Sequence, residues 1–190
     1  DRGLTVLPSR TSLVKTLSGP GRVCDPDTRR LLANSRRRLS RKDDDAVAAR
    51  CRVLFESDDE INDAVVTELA VAVQRPDVAR RLWVSMERAD ASRWLTIWSR
   101  AVEIIPDRMA PAPLSVCGLA GWLNGDGAVA AVCARRCEFM VGTADLPAAL
   151  AAIVDAFVPP KLWDVMEHDP TVIAHPLLEE QMGEKLNLSA

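Results

Sequence analysis

The chain is predicted to fold as a single all-α domain of about eight or nine helices. Three observations carry that prediction. Apolar residues recur at three- and four-residue spacing; Asp, Ser or Pro opens nearly every such stretch and Gly or Pro closes it; and no alternating run bounded by strand turns interrupts the pattern. Composition agrees, since 48% hydrophobic and 27% charged residues describe an ordinary globular chain and exclude a disordered tail, a collagen-like repeat or a disulfide knot. A chain of 190 residues buries roughly 70% of the surface its unfolded form exposes, enough for one domain without metal or cross-links.

The elements follow in order. Ser9 caps a first short helix that turns Leu13, Val14 and Leu17 inward and stops at Gly19-Pro20. Asp25, Pro26 and Asp27 start a second, with Leu31, Ser35 and Leu39 on its inner face and arginines on the other. Asp43 to Asp45 suit the positive end of a third, which runs to Glu56 with Val47, Cys51, Leu54 and Phe55 inward. Ser57 and Glu60 form a capping box that predicts a fourth helix along Ile61, Val65, Leu69 and Val73. Pro76 opens a fifth through Val78, Leu82, Trp83 and Met86, and Asp90 caps a sixth carrying Trp94, Trp98, Ala101 and Ile105 up to Pro106.

Residues 110–113 read as a connector, Leu114 to Leu123 as a buried helix, and Ala128 to Met140 as its antiparallel return around Asn124-Gly125-Asp126-Gly127. In that hairpin Gly118, Ala120, Gly121, Ala128 and Ala134 permit close approach of the two backbones, while Val129, Val132, Cys133 and Met140 face inward. Leu146 to Phe157 gives another helix, and Pro159-Pro160 opens a last short one through Trp163 and Met166. The helical domain is expected over residues 1–167 and an irregular tail over 168–190. The uncharged stretch Met109–Gly125 is broken by Pro111, Pro113, Gly118 and Gly121, too short and too polar for a membrane span. Five scattered cysteines, an odd set, predict reduced thiols in a cytoplasm and no disulfides.

The net charge of −3 hides an asymmetry, because residues 1–50 carry +6 and residues 51–190 carry −9. Arg29, Arg30, Arg36, Arg37, Arg38, Arg41 and Lys42 make the 29–42 segment a candidate anion- or nucleic-acid-binding face. The adjoining Asp43, Asp44 and Asp45 offer the plainer expectation, a solvated helix surface paired within the fold. The Gly125-Asp126-Gly127 turn admits a cation or a catalytic carboxylate, yet helix termination by Gly125, capping by Asp126 and close packing at Gly127 account for each residue. It lacks the oxygen ligands of a Ca²⁺ loop and the lysine of a phosphate loop. Cys133 and Cys137 stand one helical turn apart, but His168 and His175 lie far away in the tail, so neither a closed zinc site nor a catalytic triad is expected. Trp94 and Trp98 read as core rather than as stacking platforms. No cofactor, no metal and no catalytic residue is therefore assigned.

Ala112-Pro113-Leu114, the core Gly121-Trp122-Leu123-Asn124-Gly125-Asp126-Gly127-Ala128-Val129-Ala130, and Val158-Pro159-Pro160 with Trp163 resemble the C-terminal part of an uncharacterised actinobacterial family, domain of unknown function 4192. The opening Leu7-Pro8-Ser9-Arg10 before an arginine-rich helical stretch is similar too, so the resemblance spans most of residues 5–165. It implies a helical half that follows an α/β half in a longer cytoplasmic protein, with the chain starting abruptly at Asp1, and it implies no activity. Cys133 and Cys137 depart from the more usual leucine-rich return helix. The leading expectation is a non-enzymatic protein-interaction or regulatory module whose partner is another protein or the upstream half, and the alternative is nucleic-acid binding through the arginine helix. A third is catalysis shared with an upstream half, whose site this module would cover or complete. The hairpin resembles tetratricopeptide-type packing but lacks the repeat. Oligomeric state is not legible.

Overall fold

The order of helix-opening residues is the order of helices in the structure. A computed structural model describes residues 10–18, 25–56, 61–141 and 145–164. These form α1 (Arg10–Ser18), α2 (Pro26–Leu39), α3 (Asp44–Glu56), α4 (Asp63–Ala72), α5 (Pro76–Val84), α6 (Ala91–Ile104), α7 (Pro111–Leu123), α8 (Gly127–Val141) and α9 (Asp145–Asp155). Short 3-10 turns lie at Arg88–Asp90, Asp107–Met109 and Pro160–Leu162, and no strand occurs among the described residues. The fold is all-α, as the sequence predicts.

Local chemistry sets most boundaries. Asp25 is extended and accepts from the Thr28 amide at 2.9 Å and the Thr28 hydroxyl at 2.7 Å, bonds that hold its carboxyl below the ordinary value. Asp43 accepts from the Ala46 amide at 2.7 Å and so caps α3. On α2 the buried residues are Thr28, Leu32, Ser35 and Leu39, with Leu31 only half-buried. The expected step of four from Leu31 drifts about 40° around the helix each time, whereas alternating steps of four and three stay on one face.

Three further expectations change. The Ser57–Glu60 box lies outside the described residues, and α4 is opened instead by Asn62, whose side-chain oxygen accepts from the amides of Ala64 and Val65 at 3.0 and 3.1 Å. Asp90 makes no side-chain cap for α6, because it already has helical backbone angles as the last residue of a 3-10 turn, and a capping side chain works from extended backbone. Residues 111–113 are no connector but the first turn of α7, where Pro111 fits because the amides there have no intrahelical partner. Ser9, Gly19, Pro20, Met166 and the 168–190 tail lie outside the described residues.

α9 ends two residues earlier than predicted. Val158 donates to Ile153 O at 3.1 Å and Phe157 to Val154 O at 3.2 Å, with Phe157 at φ 50, so a phenylalanine occupies the left-handed position that glycine usually takes at a helix end.

The centre of the molecule is α7. Every residue from Pro113 to Leu123 is buried, and α5, α6, α8 and α9 all pack on this one helix. Its approach to α8 is set by two glycines. A Cβ at Gly118 would collide with Leu150 of α9 and stand 2.9 Å from the Cys133 Cβ of α8, and one at Gly121 would meet Val129 Cγ1 at 2.7 Å. Gly127, expected to serve close packing, has open space where a Cβ would go. Around this centre α2 packs on α4, α3 on α4 and α5, and α1 on α6 and α8.

Cations stitch the outer helices down. Arg75 donates to Leu39 O at 2.8 Å, Lys42 O at 2.9 Å and Asp44 at 2.8 Å, satisfying the carbonyl end of α2. Arg136 joins Leu17 O at the end of α1 to Asp107 at 2.8 and 2.7 Å.

Two glycine substitutions separate packing from backbone effects. Gly118→Ala is expected to lower unfolding free energy by about 1–3 kcal/mol through overpacking. Gly127→Ala is expected to leave it unchanged or raise it by up to about 1 kcal/mol. Urea titrations of the two variants beside the parent chain read both.

Candidate anion-binding surface

The arginines of α2 point three ways because 3.6 residues make a turn. Arg30 and Arg37 lie opposite the buried face, Arg29 and Arg36 on one flank, and Arg38 on the other. Their partners differ accordingly. Arg38 binds the Glu68 carboxylate at 2.6 Å, and Arg50 of α3 binds its other oxygen at 3.2 Å. The Glu68 side chain is only 4% exposed, so it requires those cations; a buried carboxylate without partners costs several kcal/mol. Arg36 rests its guanidinium 3.1 Å from Met109 Sδ. Arg30 pairs with Asp27 in its own first turn at 3.1 Å, where both are open to solvent. The side chains of Arg29, Arg37, Arg41 and Lys42 are exposed and meet no partner among the described residues.

The acidic run makes no ion pair with them among the described residues. Asp43 caps α3, Asp44 pairs with Arg75 at 2.8 Å, and Asp45 pairs with Arg81. Asp44 and Asp45 sit in the first turn of α3, and α3 packs on α5, so these carboxylates face the arginines of α5 and the turn before it. Of the expected internally paired surface, Arg38 is paired with Glu68 and Arg30 with Asp27, while Arg29, Arg37, Arg41 and Lys42 are solvent-exposed and without a side-chain partner among the described residues.

Arg108, not singled out in the sequence, extends this exposed cationic set, and Arg75, already engaged by Asp44 and the last carbonyls of α2, stands beside it. Arg75 and Arg108 line, with Arg36, a surface cleft of ≈ 470 Å³ whose other walls include Leu39, Ser40, Val71, Gln74 and Met109. Arg108 is exposed on the 3-10 turn before α7 and has no side-chain partner among the described residues. No periodicity within one element links positions 36, 75 and 108; only tertiary packing brings them together.

The Gly-Asp-Gly turn resolves into helix termination. Gly125 has φ 80, its amide donates to Trp122 O at 2.9 Å, and the Asp126 amide donates to Gly121 O at 2.8 Å. Asp126 then accepts from the Val129 amide at 3.3 Å and opens α8. Trp122 donates its indole N–H to Val158 O at 2.7 Å and stands edge-on to Trp163, with centroids 5.9 Å apart; Trp163 donates to Met86 O at 2.8 Å. The tryptophan before the turn thus ties the hairpin to the Val158-Pro159-Pro160 segment. Trp94 stacks between Phe55 and Trp98 in the interior.

Cys51, Cys117, Cys133 and Cys137 are buried and carry free thiols. Burial, with Glu68 adding to it, pushes Cys51 up to about 12; burial and the neighbouring Cys133 push Cys137 up to about 12 as well. A hydrogen bond with Cys117, then burial, raises Cys133. Among the described residues no group of three or more His, Cys, Asp or Glu is placed to hold a metal, and no helix is long and apolar enough to cross a membrane.

Fold and surface together define an all-α domain with one cation-rich side. The chain belongs to the family described as "Domain of unknown function (DUF4192)", whose model matches residues 2–161. No curated protein and no solved structure matches the chain.

Since the thiolate is the reactive form, the four buried thiols are expected to be inert in the folded chain. In a Cys24→Ser background, Ellman's reagent should label none of them in native buffer and all four in guanidinium. Fast labelling of the native protein would contradict their environments.

Proposed function

We propose that this domain is a non-enzymatic binding module that engages the phosphate backbone of a nucleic acid through the outer face of α2 and the turn that follows it. The observation that carries the proposal is the commitment of Asp43, Asp44 and Asp45 elsewhere while Arg29, Arg37, Arg41 and Lys42 stay unpaired among the described residues. Arginine suits the task because its fixed fork of donors matches phosphate oxygens. Arg36 and Arg108 extend the same positive surface into the neighbouring cleft. Such contacts position a duplex or single strand without reading sequence, since base edges are not engaged. The buried free thiols support residence in a reducing cytoplasm.

A second reading, association with a protein partner or with another part of a longer chain, is supported by Phe139 and Phe157, each 90% exposed. It needs apolar contact rather than charge, so salt separates the two.

Fluorescence anisotropy of labelled duplex DNA and single-stranded RNA, titrated across a salt series, tests the proposal. Micromolar binding is expected, with a log–log salt slope that shrinks by about 3 in an Arg29→Ala, Arg37→Ala, Arg41→Ala triple variant, about one per lost phosphate contact. Absence of binding at low salt overturns the nucleic-acid reading. Sedimentation that shows a self-association lost in Phe139→Ser, Phe157→Ser then supports the second.

A further inference from the structure

Beyond the α2 face, the structure holds a second concavity of ≈ 390 Å³ between α5, the 3-10 turn at Asp107–Met109, and the starts of α7 and α9. Its walls are apolar: Val73, Pro76, Ala79, Pro111, Ala112 and Leu146 face it. Its volume lies at the small end of the range, about 300–1,000 Å³, that small-molecule sites occupy.

The charged side chains among its described lining residues have one sign. Arg80 and Arg108 line it, and the described lining residues include no carboxylate. The neutral groups are already engaged: the Gln74 side-chain amide donates to Ala70 O and Met109 O, each at 3.0 Å, and the Ser115 hydroxyl donates to Ala112 O at 2.8 Å. Arg108 has no side-chain partner among the described residues. Pro76, Pro111 and Pro147 each sit in the first turn of their helix and line the cavity, so the positive ends of α5, α7 and α9 converge here. Prolines carry no N–H, which keeps these walls apolar and leaves the Arg108 guanidinium as the anchor for a negative charge.

We propose that this cavity binds a small amphipathic monoanion, an organic acid whose apolar body lies against the proline- and alanine-lined walls and whose carboxylate, or equivalent headgroup, pairs with Arg108. The cavity shares Arg108 with the cleft beside α2 but none of the exposed cations of α2 itself, and it stands whether or not those bind phosphates.

The test uses 8-anilinonaphthalene-1-sulfonate as a fluorescent reporter, decanoate as competitor and decan-1-ol as its uncharged counterpart, on the full chain. Expected is saturable single-site fluorescence that decanoate displaces and decan-1-ol does not. Arg108→Gln, at an exposed position, is expected to keep the circular dichroism of the parent chain and to weaken decanoate about tenfold. Ala112→Phe, which fills a half-buried wall, is expected to abolish the signal. Displacement by decan-1-ol as readily as by decanoate, unchanged decanoate affinity in Arg108→Gln, or absence of a saturable signal would each overturn the proposal. If Ala112→Phe fails to fold, the Arg108→Gln and decan-1-ol arms still decide it.

Discussion

The structure depends on one helix that has no solvent side. Residues 109–125 contain no charge, and within them Pro113 to Leu123 are buried on every face. A helix can be enclosed this way because its backbone bonds are satisfied internally, and it need only present apolar or small side chains outward. Once α7 is surrounded, α5, α6, α8 and α9 must each place an apolar stripe against it. The glycines at 118 and 121 set how near α8 comes, and Trp122 fixes the far end by its bond to Val158 O.

The outer layer obeys a different constraint, the accounting of charge. Arginines outnumber lysines twenty to four, and two groups of them set the character of this layer. Some close helix ends or neutralise buried carboxylates: Arg75 takes the last carbonyls of α2, Arg136 takes that of α1, and Arg38 with Arg50 encloses Glu68. A planar fork with five donors serves such multi-partner positions better than an ammonium point charge. Arg29, Arg37 and Arg41 on and just after α2, with Arg108, have no such duty within the described residues and give that surface its sign. Because Glu68 removes Arg38 from that set and local pairing engages Arg30, the anion-facing cluster is smaller than the sequence run implies.

The fold class and most inner faces were legible in the sequence because they rest on periodicity and on residues with a fixed backbone preference. Asp25-Pro26, Pro76 and the Asn-Gly-Asp-Gly turn work locally, and the structure places them where that chemistry puts them. The misreadings arose where two local signals compete. Asn62 rather than Ser57 caps α4, and Asp90 is itself part of a 3-10 turn. The candidate site was half legible, since the arginines of α2 are contiguous in the chain. Which of them stay free was not, because Glu68, Met109 and Asp27 decide it, and two of those lie thirty or more positions away. The cavity beside Arg108 had no sequence signature, being assembled from the first turns of three helices.

The primacy of α7 is tested most directly by native-state hydrogen exchange across a series of sub-denaturing urea concentrations. The amides of Leu114 to Leu123 are predicted to exchange only through global unfolding, with the full denaturant dependence of the whole chain, while those on the exposed side of α2 open at lower free energy. Exchange of the α7 amides through a smaller opening, at a free energy below that of α2, would contradict the account and move the stability centre of the domain elsewhere.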